Sequence, residues 1–137
     1  AELYVVRAEL EGLAAKLAAK HATDEEKRVL QDMVNNDRKL MTDPTALARA
    51  NRRFHKQIHL ASHNRYLVQQ LDLVHRSMAL MATTSLAVDG RGEVAMAEHQ
   101  AIVDAVITGK ADDAYNCLRD HISVAYITRL KQELSDE

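Results

Sequence analysis

An all-α fold, built as an antiparallel bundle of about six helices, follows from three features of the 137-residue chain. Helix breakers are scarce, with four glycines and one proline, while Ala, Leu, Met, Glu, Lys and Arg fill most positions, and these are the better helix formers. Apolar residues recur at three- and four-residue spacings along the whole chain and no alternating strand pattern interrupts them. Connections between the periodic segments are short, which makes neighbouring helices antiparallel. The length fits one domain, residues 1–137, with room for a core.

The first helix is expected over 2–20, with Leu3, Val6, Leu10, Leu13 and Leu17 as its core stripe. Thr23-Asp24-Glu25-Glu26 is a capping box, in which the Thr hydroxyl and the Glu carboxylate each satisfy a free amide. It opens a second helix over 23–41 that packs through Val29, Leu30, Met33, Val34 and Leu40. Asp43-Pro44 places an N-cap before a proline at the first helical position, and the third helix runs from there to Ser62. His63-Asn64 reads as a turn. The fourth helix spans 65–87, with Leu67, Leu71, Val74, Met78 and Met81 inward. The loop "DGRG" at 89–92 precedes a fifth helix over 92–108, which stops at Gly109 as a C′ residue. The sixth covers 111–133.

Composition excludes several functions. The formal charge of −2 and the lack of a dense basic block give no phosphate-binding surface. A single cysteine, Cys117, rules out an internal disulfide and a cysteine-rich metal cage, and it suits a reducing compartment. No apolar run is long enough to cross a bilayer and no signal peptide is present, so the protein reads as cytoplasmic.

The informative residues are histidines. In "NRRFHKQIH" (51–59), Asn51, His55 and His59 stand four apart along one side of the third helix. The zinc-protease pattern H-E-x-x-H does not apply, because Lys56 stands where the Glu general base would be. Measured from the stripe Leu47, Ala50, Phe54, Ile58 and Ala61, Asn51 lies about 40° and His55 about 80° off centre, while His59 and His63 rotate towards water. On the fifth helix His99 is flanked by Ala95, Met96, Ile102, Val103 and Val106. On the sixth, His121 shares the stripe of Cys117, Leu118, Ile122 and Ala125. Imidazoles in such places need hydrogen-bond partners or a metal to offset desolvation. Each taken singly reads as a satisfied core histidine; three together, with Asn51 one turn from His55, also fit a shared set of neutral metal ligands. His21, His59, His63 and His75 read as surface or shoulder residues, and the methionines as core filling. No carboxylate is expected inward beside the histidines, since Glu98 points about 100° away from its neighbour His99. Arg7 sits at the edge of the first stripe, either in a surface i,i+4 pair with Glu11 or as an inward guanidinium that forks onto a carboxylate ligand.

Three segments, "ELYVVRAELEGLAAKLAA" (2–19), "NRRFHKQIHLASHNRYL" (51–67) and "EHQAIVDAVITGKADDAYNCLRDHI" (98–122), resemble the FCD domain, the FadR-type C-terminal effector-binding domain of GntR-superfamily bacterial transcription regulators. The likeness rests on a [DN]-x-x-F-H element, an E-H-x-x-I-x-x-A-[IV]-x-x-G run and an R-x-H-[IV] ending. It implies a helical bundle around a small-molecule cavity. It also implies a divalent metal, zinc or nickel, held by Asn51, His55, His99 and His121, with Asn51 standing where many members have Asp. Arg7 matches the Arg of the family's V-R-x-x-L-E opening, which favours its inward role towards a small carboxylate effector. The resemblance further implies a homodimer and contact with DNA only through an N-terminal winged helix, which is expected to be absent from this chain. The domain itself is expected to perform no chemistry. The rival reading is a small metal-dependent hydrolase using the same three histidines to activate water.

Overall fold

A computed structural model of the chain describes residues 1–78 and 90–135. Six α-helices lie among the described residues: α1 (Glu2–His21), α2 (Asp24–Asp37), α3 (Pro44–Ala61), α4 (Arg65–Met78), α5 (Arg91–Ile107) and α6 (Ala111–Ser135). Together they form an all-α antiparallel bundle, as the periodicity predicts. The expected continuation of the fourth helix to residue 87, with Met81, lies outside the described residues.

Helix ends follow local chemistry. Thr23 Oγ1 accepts from the Glu26 amide at 3.1 Å, and Glu26 Oε1 accepts from the Thr23 amide at 2.8 Å, completing the capping box at the start of α2. Asp43 caps α3 by accepting from the Ala46 amide, with Pro44 at the first helical position. Gly109, at φ 70°, ends α5, and the Lys110 amide reaches back to the Ala105 carbonyl at 2.9 Å, the six-to-one bond of a glycine-terminated helix. The second helix ends earlier than expected, because Arg38–Leu40 tightens into a 3-10 turn.

The stripes of α3, α4 and α5 are buried as read. Leu47, Ala50, Phe54, Ile58 and Ala61 are all inside, as are Leu67, Leu71 and Val74, and Ala95, Met96, Ile102, Val103 and Val106, while Met78 is partly buried against the core. The stripe of α1 is not. Val6 and Leu13 are exposed, and the buried face carries Tyr4, Glu11, Gly12, Ala14, Ala15, Ala18 and Ala19. This helix touches α3, α4, α5 and α6, so its inner face is surrounded and takes small side chains that let neighbouring backbones come close. At Gly12 an added Cβ would lie 2.8 Å from Tyr115 Cδ2 and 2.9 Å from Arg119 Cγ of α6. On α2, Leu30 and Val34 are buried whereas Val29 is exposed.

The apolar interior divides into a main cluster and a smaller one of Leu47, Ala95 and Met96. Along α3 and α5 the polar residues Asn51 and His99 fall between the two.

Candidate metal centre

Three helices bring three imidazoles to one place. His55 of α3, His99 of α5 and His121 of α6 are buried, and their Nε2 atoms converge: His55 Nε2 and His99 Nε2 each lie 3.3 Å from His121 Nε2. Phe54 stacks on His99 with ring centroids 4.2 Å apart, which fixes the plane of that ring.

The outer nitrogens decide the protonation. His55 Nδ1 donates to Glu11 Oε2 at 3.1 Å, and His121 Nδ1 donates to Glu98 Oε1 at 2.8 Å. A carboxylate only accepts, so both rings carry their hydrogen on Nδ1 and turn a lone pair inward from Nε2. Two lone pairs facing each other at 3.3 Å are repulsive unless a proton or a cation stands with them. Burial opposes the proton. It pushes the His55 pKa down to about 4, although Glu11 pulls the other way. It holds His99 well below its usual value, where a proton would also be opposed by the neighbouring His121, His55 and Arg91, and it lowers His121 against the pull of Glu98. A divalent cation resolves the arrangement without that cost. Nitrogens bound to one tetrahedral zinc at the usual length stand about 3.3 Å apart, which matches the observed spacing. His55, His99 and His121 thus have the separation and burial of a metal-ligand triad.

The carboxylates correct the sequence reading. Glu98 does leave α5 beside His99 rather than along it, but α6 lies on that side, and Glu98 Oε1 also accepts from Arg91 Nη1 at 2.6 Å. Burial would raise the Glu98 carboxyl, and hydrogen bonds from His121 and Arg91 hold it below its ordinary value. Glu11, which the surface alternative pairs with Arg7, is completely buried. Burial would push its carboxyl up, but His55 and His59, by charge and hydrogen bond, keep it well below the usual carboxylate value. Glu11 Oε1 accepts from His59 Nε2 at 3.0 Å and from His75 Nε2 at 2.8 Å.

His59 is therefore a second correction. Helix periodicity turns it towards water, yet it is buried, because α4 covers that flank of α3 and α1 supplies the acceptor. His75 is half-buried against the same oxygen. His63 is exposed, as expected, and pairs with Glu26. No one-helix periodicity marks Glu11 or His59. The available signal was the number of histidines on α3 and α4, which need an acceptor if they turn inward.

Two further residues near these helices have buried polar atoms to spare. Asn51 Oδ1, one turn before His55, is buried with no hydrogen-bond partner among the described residues. Arg7 lies largely inside, with Nε 3.9 Å from Glu11 Oε1 and likewise without a hydrogen bond there. Its charge bears on His55 and His121, so it stands beside the triad.

Comparison with known proteins agrees with this architecture. The family described as FCD domain matches residues 2–124. The HTH-type transcriptional regulator YdhC of Bacillus subtilis (strain 168) is 31% identical over 108 residues, covering 77% of this chain and 48% of that protein. Proteins of Escherichia coli (strain K12) and Shigella flexneri, named for regulation of an L-lactate dehydrogenase operon, are each 29% identical over 131 residues, covering 93% of this chain and 50% of theirs. The chain thus spans about half the length of these relatives. The solved structure of E. coli McbR/YncC superposes with a TM-score of 0.78 at 17% identity, over 97% of this chain and 64% of that one, a likeness of fold. The chain belongs to the FCD domain family, the domain type of GntR-superfamily transcription regulators.

Proposed function

We propose that this domain is the ligand-sensing part of a transcription regulator, in which a divalent metal and a small carboxylate effector together set the state of a DNA-reading segment outside residues 1–137. His55, His99 and His121 would hold the metal, zinc or nickel, with Asn51 Oδ1 as a fourth donor. The bound ion would supply a Lewis-acidic point for an effector oxygen. Arg7 would fork onto the effector carboxylate. The observation that carries this reading is the convergence of three buried Nε2 atoms, those of His55 and His99 each 3.3 Å from that of His121, with carboxylates behind two of the rings. Such outer carboxylates orient metal-bound imidazoles and raise their basicity.

A sensor is favoured over a hydrolase by the occupation of the two inward carboxylates. Glu11 and Glu98 already accept hydrogen bonds from imidazoles, and Glu98 from Arg91 as well. Each is thereby committed to orienting a histidine, whereas a metal-dependent hydrolase needs a carboxylate or imidazole turned towards the bound water.

In the full regulator the effector would have to prefer one arrangement of two subunits, since equal affinity for both shifts nothing. A homodimer working in the cytoplasm completes the proposal; no described helix is long and apolar enough to cross a membrane. The test is elemental analysis and zinc or nickel titration of protein purified without nickel affinity. One divalent ion per chain, lost in His121→Ala, supports the reading. A protein that binds no ion under either condition sinks it.

A further inference from the structure

Apart from the triad, a second group of metal-ligating side chains meets on one oxygen. Glu11 Oε1 accepts from His59 Nε2 at 3.0 Å and from His75 Nε2 at 2.8 Å, so α1, α3 and α4 each send one donor atom to the same point. The two rings stand nearly perpendicular, with centroids 5.3 Å apart. Donor atoms of Glu11, His55 and His59 also lie within 4.8 Å of one another. His55, however, turns its Nε2 to the triad and gives its Nδ1 hydrogen to Glu11 Oε2. That leaves His59 and His75, neither of which the triad uses, to share the other oxygen.

Two imidazole nitrogens and one carboxylate oxygen are the protein donors of many open zinc sites, with water in the remaining position. Donors bound at about 2.1 Å stand about 3.0 Å apart at a right angle and about 3.4 Å apart at the tetrahedral angle. The observed contacts therefore need little opening. Each neutral ring would carry its hydrogen on Nδ1 instead of Nε2 and turn a lone pair to the ion, while Glu11 Oε2 still holds His55. Glu11 and His59 are sealed in, but the side chain of His75 is 30% exposed, which gives the ion a way in from solvent. An ion here displaces two hydrogen bonds that are already made, whereas at the triad it meets nitrogens with no proton to spare between them. The second position is therefore the weaker of the two and fills after the triad.

We propose that Glu11, His59 and His75 form a second divalent-cation site, which takes zinc with a dissociation constant on the order of 10 μM. It stands on its own three donors and does not depend on occupation of the triad. An ion there ties α4 to α1 and α3 through the same carboxylate that orients His55.

The test is calorimetric titration of the untagged chain, already carrying one equivalent of zinc, with further zinc at neutral pH. Uptake of one more ion per chain is expected. His75→Gln replaces a half-exposed ring by an amide that can still donate to Glu11, so the variant should fold, as thermal melting without metal will show. Outer partners of a metal ligand are worth about 10–100-fold in affinity, so loss of a direct ligand should weaken the second event by at least about 100-fold. The first ion should stay. His63→Gln removes an exposed histidine that pairs with Glu26 and should leave both ions in place. In His121→Ala, which lacks the ion of the triad, the weaker event should remain. No second ion in the wild type overturns the proposal, as does unchanged uptake in His75→Gln. Loss of the second ion in folded His63→Gln or His121→Ala overturns it as well, because the ion would then sit elsewhere. If only the weaker event is seen in the wild type, the triad reading falls while this site stands.

Discussion

His55 and His121 face each other through Nε2 at 3.3 Å while each gives its other ring hydrogen to a carboxylate, Glu11 behind one and Glu98 behind the other. The pair is thus polarised from the back and unsatisfied at the front. That relation generates most of what can be tested.

Removing a front nitrogen should remove the metal. His99→Leu and His121→Ala are both expected to lose measurable zinc binding in a chelator-competition titration. They differ without metal. His99→Leu replaces a buried imidazole, whose Nδ1 has no hydrogen-bond partner among the described residues, by an apolar group of similar size, so the metal-free melting temperature should hold or rise. Wild-type protein should gain thermal stability on adding zinc, and both variants should not.

Removing a back carboxylate should weaken the site without abolishing it. Glu98→Gln keeps the shape and loses the charge that orients His121, with an expected loss of about 10–100-fold in metal affinity. Glu11→Ala is harsher. It strands buried N–H groups of His55 and His59, and a stability loss of about 3 kcal/mol or more is expected in denaturant titration. If Glu11→Ala matched the wild type in denaturant midpoint, the network drawn around that carboxylate would be wrong.

Acid should destabilise the metal-free domain. His55 ordinarily titrates near 6.5 and in the fold near 4. Between those values the unfolded chain binds a proton that the native chain refuses, so stability is full above 6.5 and falls as the pH drops towards 4. This one group contributes a slope of up to about 1.4 kcal/mol per pH unit in that window. His99 and His121, lowered in the same direction, steepen it, and Glu11, lowered from 4.5, adds a loss at the acid end. Urea midpoints measured from pH 7.5 to 4.5 check the sign. A midpoint that rises on acidification would mean that the imidazoles are not buried neutral.

Close packing of α1 against α6 predicts a steric effect far from the metal centre. Gly12→Ala gains helix propensity but meets the ring of Tyr115 and the stem of Arg119. Tyr115 is itself tied to Glu9 through its hydroxyl at 2.5 Å, so it cannot yield freely. Gly12→Val should cost about 1–3 kcal/mol by overpacking, read as a lower melting temperature with unchanged zinc affinity.

Much of this molecule is written in single helices. The capping box at Thr23, the Asp43-Pro44 start, the Gly109 stop and the apolar arcs of α3 and α5 are local patterns, and each is found where the periodicity places it. The inward histidines at 99 and 121 are legible for the same reason, since each interrupts an arc that asks for Leu or Val, and His55 is legible on the shoulder of such an arc. The face of α1 was not legible. Its residues are apolar on nearly every side, and only the crowding of four neighbouring helices selects the alanines over Val6 and Leu13.

The sequence by itself determined the helices, their ends and the four polar residues most in need of an explanation. Tertiary structure decided what surrounds them: Glu11 inside rather than at the surface, His59 covered by α4, and Glu98 reaching across to His121. Periodicity describes how one helix divides into two faces. A buried charge is tolerated only where partners from other helices meet it, and that meeting is decided by packing.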